Sequence, residues 1–371
     1  MSTVPRRFLV LSASMGSGHD AVATELTRRL EAAGNQVARA DVLELLPAGI
    51  GSGLRAFYRT VICHLPGFYA GLYAAFFRSG GGPRPGSAPL AALAERELLA
   101  LVGRTRPDVV VPVFHLAAQL TGRLRSRGAL AVPSAVVITD FAVHRQWLHP
   151  GNDLYLCLTP DLTRQVQQAV RRPAATSGAL VAERFLRSAP PDATLTKDGG
   201  TEGLCTAAPD RPVVLVSAGA WGAGTHMVRT ARLLEAAGYR PVVLCGRNTR
   251  LRSKVSRIAG VCATGWVDDM PGLMAGARAL IDNAAGQTAL QALAAGVPVV
   301  GYRPIPGHGE EGVRRMAEHG LTEYARDSWS LIQSLDTLSE PGPAREQRIA
   351  TGRSLFSADA VQPLTALACR A

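Results

Sequence analysis

Short apolar runs recur along the chain, each about the length of one strand and each followed by a stretch with helical spacing. In order they are FLVLSAS (8–14), QVARADV (36–42), DVVVPVF (108–114), SAVVITD (134–140), DLYLCLT (153–159) and AATSG (174–178), then VVLVSAG (213–219), RPVVLCG (240–246), GVCATG (260–265), ARALIDN (277–283) and GVPVVGY (296–302). Strands alternating with helices predict an α/β fold with parallel sheets. Residues 184–211 are rich in Pro, Gly, Thr and Asp and lack periodicity, so the runs fall into two groups. The pattern predicts two Rossmann-like, doubly wound domains, 1–190 and 191–371, with the C-terminal helix a candidate to cross back. Each group opens with a strand, a glycine loop and a helix: SMGSGH at 14–19 and SAGAWGAGT at 217–225. Ligands of such sheets bind beyond the carboxyl ends of the strands, which predicts a two-substrate cleft between the domains.

Gly16-x-Gly18-x-x-Ala21, with Asp41 some way downstream, fits the fingerprint of a dinucleotide-binding turn. An NAD-dependent dehydrogenase is therefore one reading, but it gives no role to His19 and leaves the second glycine loop unexplained. Residues 262–321 carry more chemistry. Asp269 is placed to cap a helix starting at Met270 and Pro271. Ala284-Ala285-Gly286-Gln287-Thr288 brings bare backbone to a helix N-terminus, where unpaired N–H groups can hold a diphosphate.

Residues 52–78 break the alternation of strand and helix. Phe57, Tyr58, Phe68, Tyr69, Tyr73, Phe76 and Phe77 lie there among Arg55, Arg59 and Arg78. An aromatic and basic segment suits an anionic membrane surface or a lipid-acceptor groove, and a helical hairpin covering the sheet is the plainer alternative. The chain of 371 residues has a formal net charge of +11, which also favours an anionic partner. Its motifs are not those of a nucleic-acid reader. No apolar segment reaches the length of a membrane span and the N-terminus reads as a first strand, so the expectation is a cytoplasmic protein, peripheral at most on the inner face of the membrane. The six cysteines are scattered without metal-ligand spacing, so reduced thiols and no metal are expected.

Several motifs in the right order resemble glycosyltransferase family 28, which has the GT-B fold, and most nearly its monogalactosyl- and glucosyl-diacylglycerol synthase branch. They are GSGH at 16–19, VITDFAVHRQWLH at 137–149, SGALV at 177–181, SAGAWGAG at 217–224, CGRN at 245–248 and GWVDDMP at 265–271. The family also includes the N-acetylglucosaminyltransferase of peptidoglycan lipid synthesis. The resemblance implies an inverting glycosyltransferase that moves a hexose or N-acetylhexosamine from a UDP-sugar to a hydroxyl of a lipid or lipid-linked acceptor. No cofactor beyond the donor is implied. Related alternatives are a secondary-metabolite acceptor, a UDP-sugar epimerase and a non-catalytic UDP-sugar sensor.

The resemblance also distributes roles. Trp266 and Val267 match the backbone that reads uracil, Gly286, Gln287 and Thr288 the diphosphate turn, and Arg247 a basic residue near the phosphates, with Gly219 in the second glycine loop. Gln291 stands where the family usually has a ribose-binding glutamate, which leaves the nucleotide open. His308 and Glu310, with Glu311, lie in the loop that reads the sugar. His19 is implied as the general base, with Asp140 a second candidate; a capping or packing role is the alternative for each. Gly16, Gly18, His144, Trp147, Phe68 and Tyr69 are the expected acceptor contacts, with Trp147 equally suited to the core.

Overall fold

The computed structural model describes residues 4–77, 86–187 and 211–370. Arg78, Cys205 and most of the connection expected at 184–211 lie outside them. The chain divides into two compact units. One comprises Met1–Thr60, Ala70–Leu180 and Leu355–Ala371; the other comprises Val61–Tyr69 and Val181–Ser354. The division therefore falls ten residues before the expected 190, and two short segments change sides.

The first unit holds six parallel strands: β1 (Arg7–Ser12), β2 (Gln36–Asp41), β3 (Val109–Pro112), β4 (Ala135–Val137), β5 (Leu154–Cys157) and β6 (Ala174–Thr176). They run in the orders β2-β1-β3 and β4-β5-β6, joined by a parallel bridge from Val110 to Ser134. Helices cover both faces. Leu26 and Leu30 of the helix Ser17–Ala32 pack on one side, and Leu116, Leu120 and Leu124 of the helix His115–Ser126 on the other. Burial of both faces explains why β1, β3, β4 and β5 read as apolar runs.

The last helix, Val361–Ala368, belongs here too. Ala360, Leu364 and Ala368 are completely buried in the same cluster as Phe8, Val10, Val109 and Val111. Just before it, the Leu355 carbonyl accepts from the amide of Ala179 at 2.9 Å. Gly178 permits that approach: its φ is +68°, and a Cβ there would sit 2.3 Å from the Leu355 oxygen.

In the second unit the strands are β7 (Val213–Ser217), β8 (Arg240–Leu244), β9 (Cys262–Thr264), β10 (Ala279–Asp282), β11 (Val299–Tyr302) and β12 (Thr322–Ala325), all parallel, in the order β12-β11-β10-β7-β8-β9. All eleven apolar runs form strands. The edge strand β12, TEYA, had no such signal because Glu323 and Tyr324 are only partly covered. In both units the first strand sits where the strand order reverses, β1 between β2 and β3 and β7 between β8 and β10. That is where a doubly wound sheet binds its ligand.

The aromatic and basic stretch forms two helices, Ile50–His64 and Pro66–Phe76. Phe57, Leu65 and Phe68 are about half exposed, whereas Val61, Tyr69 and Tyr73 are buried. Tyr69 is thus a packing residue, a correction to its expected acceptor role, while Phe68 stays open to solvent. Among the described residues no helix is long and apolar enough to cross a membrane. Cys63, Cys157, Cys245 and Cys369 are free thiols, and Cys262 is disulfide-bonded, which departs from the expectation of reduced cysteines throughout.

Candidate active site

In the first unit the site is built at the ends of β1, β3 and β4. The backbone is extended at Gly16, and the helix Ser17–Ala32 begins at the next residue, which puts His19 in its first turn, near Gly18. The ring turns onto the end of β3: Nδ1 lies 3.1 Å from the carbonyl oxygen of Val113. A carbonyl can only accept, so Nδ1 carries the proton and the neutral ring keeps its basic lone pair on Nε2. The edge of the His19 ring meets Phe114, centroids 4.9 Å apart, and Trp147 lies at 6.4 Å. From the end of β4, the Thr139 hydroxyl lies 3.3 Å from His19 Nδ1.

Asp140 has a definite partner. Its Oδ2 accepts from the indole N–H of Trp147 at 2.7 Å, and Nε2 of His144 is 3.9 Å from the same oxygen. Trp147 is completely buried and His144 nearly so. Trp147 thus takes the core place that was its alternative, with an acceptor for the indole nitrogen inside the protein, and His144, expected at the acceptor, is buried beside it. Around them lie rings the sequence reading did not single out for the site. Phe77 meets His144 at 4.8 Å and His115 at 5.3 Å edge-on, and Tyr73 stacks on Phe77.

The same loop answers the dinucleotide reading. Asp41, which would have to bind a ribose, accepts from the amide and hydroxyl of Ser14 and pairs with Arg55, while its other oxygen accepts from the amide of Leu43 at 2.8 Å. Its carboxylate is engaged in holding the loop.

The second unit assembles a site of another kind. Gly219 and Gly222 have φ of +66° and +61°, and the loop they form is tied to the next one. Asn248 donates to the Gly222 carbonyl at 3.1 Å and accepts from Leu251 to cap its own helix. Arg247 lies with its guanidinium 4.8 Å above the ring of Trp266 and 5.8 Å from that of Trp221. Trp266 is about half exposed and donates to Asp268 at 3.0 Å, with Val267 half-buried between them. Asp269 caps the following helix through the amide of Gly272, as its position suggested.

After β10 the chain turns sharply, with Ala285 at φ +52°. Asp282 holds the turn by accepting from the amides of Ala284 and Ala285 at 2.9 and 2.6 Å. Burial raises its carboxyl above the ordinary range, and these backbone donors only partly offset the rise. Gly286 then caps the helix Gln287–Ala294, and Gln287, Thr288 and Gln291 stand half-buried on its first turns. Against the turn packs the helix His308–Glu318. Gly309 and Gly312 allow it: a Cβ at either would come within 2.8 Å of Asn283 or Ala285. His308 is the first residue of that helix. Glu310 is exposed, and Glu311 pairs with Arg314 and Arg315 along the helix. Among the described residues no three His, Cys, Asp or Glu side chains cluster as a metal site would require.

Residues 19–174 match the family model described as monogalactosyldiacylglycerol (MGDG) synthase. Over 254 residues the chain is 24% identical to the processive diacylglycerol beta-glucosyltransferase of Bacillus licheniformis, a match covering 66% of this chain and 64% of that protein. These matches make the chain similar in sequence to diacylglycerol glycosyltransferases. It spans a little under two-thirds of the length of the curated protein it matches. Among solved structures, UGT89C1 of Arabidopsis thaliana superposes with a TM-score of 0.64 at 12% identity, covering 99% of both chains. MurG of Acinetobacter baumannii superposes with a TM-score of 0.57 at 15% identity, covering 99% of this chain and all of that one. The fold is GT-B.

The expected residues therefore form separate groups. His19, Asp140, His144 and Trp147 meet with Gly16 in the first unit. In the second, Gly219, Arg247 and Trp266 make one group, and Gly286, Gln287, Thr288, Gln291, His308 and Glu310 another. Phe68 and Tyr69 belong to neither; they sit in the short segment that groups with the second unit. Thr139, His115 and Trp221 were overlooked. A usable signal for His115 was present, since a strand running directly into a histidine occurs at 108–115 as well as near 19.

Proposed function

We propose that the chain is an inverting glycosyltransferase that moves a hexose or N-acetylhexosamine from a UDP-sugar to the hydroxyl of a diacylglycerol-type lipid. The observation that carries this reading is the His19 ring, held through Nδ1 by the Val113 carbonyl so that Nε2 is the basic nitrogen. The acceptor hydroxyl gives its proton to Nε2 as its oxygen bonds to the anomeric carbon and the bond to the leaving diphosphate breaks. Negative charge develops on that diphosphate. The amides at the start of the helix Gln287–Ala294 and the guanidinium of Arg247 are the groups suited to meet it.

Support for the acceptor comes from the Bacillus licheniformis relative, named for action on diacylglycerol. Support for the donor comes from the fold neighbour solved with UDP-L-rhamnose. The exposed Phe57, Leu65 and Phe68 suit delivery of the acceptor from a lipid surface. The test is turnover: the protein is given UDP-glucose, UDP-galactose and UDP-N-acetylglucosamine with diacylglycerol in mixed micelles, and glycolipid and UDP are quantified. Equal amounts of both, with the anomeric configuration inverted, are expected. UDP formed without acceptor, or no product from any of the three donors, would sink the proposal.

A further inference from the structure

The Thr139 hydroxyl stands between two groups the proposed reaction uses. Its oxygen is 3.3 Å from His19 Nδ1 and 3.4 Å from Asp140 Oδ1. We propose that Thr139 is a positioning residue that passes the influence of the Asp140 carboxylate to His19, an inference that rests on the role given to His19 above. The hydrogen-bond directions are set by the partners. Nδ1 faces the Val113 carbonyl and so bears its proton, which the threonine oxygen can share as a second acceptor. The hydroxyl hydrogen then has Asp140 Oδ1 as its acceptor. Both distances are long for such bonds in a protein without substrate, and they shorten as charge develops.

When the acceptor proton reaches Nε2, the ring becomes an imidazolium and nothing leaves Nδ1. The new charge is met by the Val113 carbonyl and by a hydroxyl polarised towards a carboxylate, both of which favour the charged ring. Asp140 is held for this task by Trp147, whose N–H occupies its other oxygen. Other titratable groups surround the ring. Asp20 lies on the same helix with Oδ1 3.1 Å from Ser12 Oγ, His144 lies after β4, and His115 packs on Phe114 with centroids 4.1 Å apart. A substitution at Thr139 removes none of these side chains.

The experiment compares Thr139→Val, which keeps the shape and removes the hydroxyl, with Thr139→Ser, which keeps the hydroxyl. Ring 15N shifts of His19 are followed against pH in the protein without donor or acceptor. The wild type is expected to show the Nδ1–H form with one titration. Thr139→Val is expected to move the midpoint down and mix the two neutral forms, and Thr139→Ser to restore both. In turnover, Thr139→Val should lower kcat about tenfold, with the acid limb of the pH profile moved the same way and KM for the donor unchanged, a fraction of what positioned proton transfer contributes. Thr139→Ala gives the same readings should the valine variant not accumulate. An unchanged His19 titration in Thr139→Val, or a serine variant that behaves like the valine one, overturns the proposal. Because the titration needs no substrate, a shifted midpoint in a protein that transfers no sugar would uphold this coupling while defeating the proposed function.

Discussion

The two glycine loops start alike and finish differently. Each leaves the central strand of a doubly wound sheet at the point where strand order reverses. After β1 the loop is short, its helix-capping glycine is merely extended, and a histidine stands in the helix's first turn. After β7 the loop is longer, with left-handed glycines, and it ends in a helix starting at Met227. There the fixed groups are backbone dipoles, an arginine between tryptophans and the neighbouring turn at Asn283. On the proposed function, one scaffold position would serve two chemistries: proton transfer where a titratable ring is anchored by its own sheet, and charge stabilisation where side chains are kept out of the way.

This contrast can be broken. The largest effect should come from His19→Ala, which is expected to lower kcat by at least about 10²-fold. The thermal shift produced by UDP should be unchanged, because no donor contact in the second unit is touched. If UDP no longer stabilises that variant, the two loops do not divide the labour in this way. Gly312→Ala should act on the opposite side. Its new Cβ meets that of Ala285 at 2.8 Å, so the helix must shift from the turn after β10. A loss of about 1–3 kcal/mol of stability is expected, with weakened UDP binding and an unaltered His19 titration. Denaturant melts and calorimetry check it, and a variant that binds UDP as before would show that this helix does not set the donor site. Smaller still is Trp147→Phe, which removes the partner of Asp140 while nearly filling the space. It should cost about 1–2 kcal/mol in a urea melt and reduce kcat less than His19→Ala does. A variant as stable as the wild type would deny the indole its structural part.

How much of this was legible depended on whether the signal was local. Runs such as VVLVS and ALID had to be strands because their residues are buried on both faces, and a glycine following such a run marked each loop. Asp269 could be placed at a helix start because a cap acts only over a few residues. The anchor of His19 is 94 residues away, and no periodicity reveals which carbonyl a ring will meet. Trp147 shows the opposite limit. A tryptophan in a motif with two histidines suits a substrate channel or a core equally well, and the hydrogen bond to Asp140 decides it. Edge strand β12 escaped because its four residues, Thr-Glu-Tyr-Ala, hold no apolar run.

The helix Val361–Ala368 bears on how the protein is made. A chain emerging from the ribosome exposes β1 and β3 before the second unit's sheet is made, yet the residues that cover part of their surface follow that unit in sequence. All of the second unit apart from its short segment Val61–Tyr69 lies between them in sequence. During synthesis the first sheet must wait with Phe8, Val10, Val109 and Val111 incompletely covered, while the second unit can complete its own sheet. The unit that begins first is thus the one that finishes last.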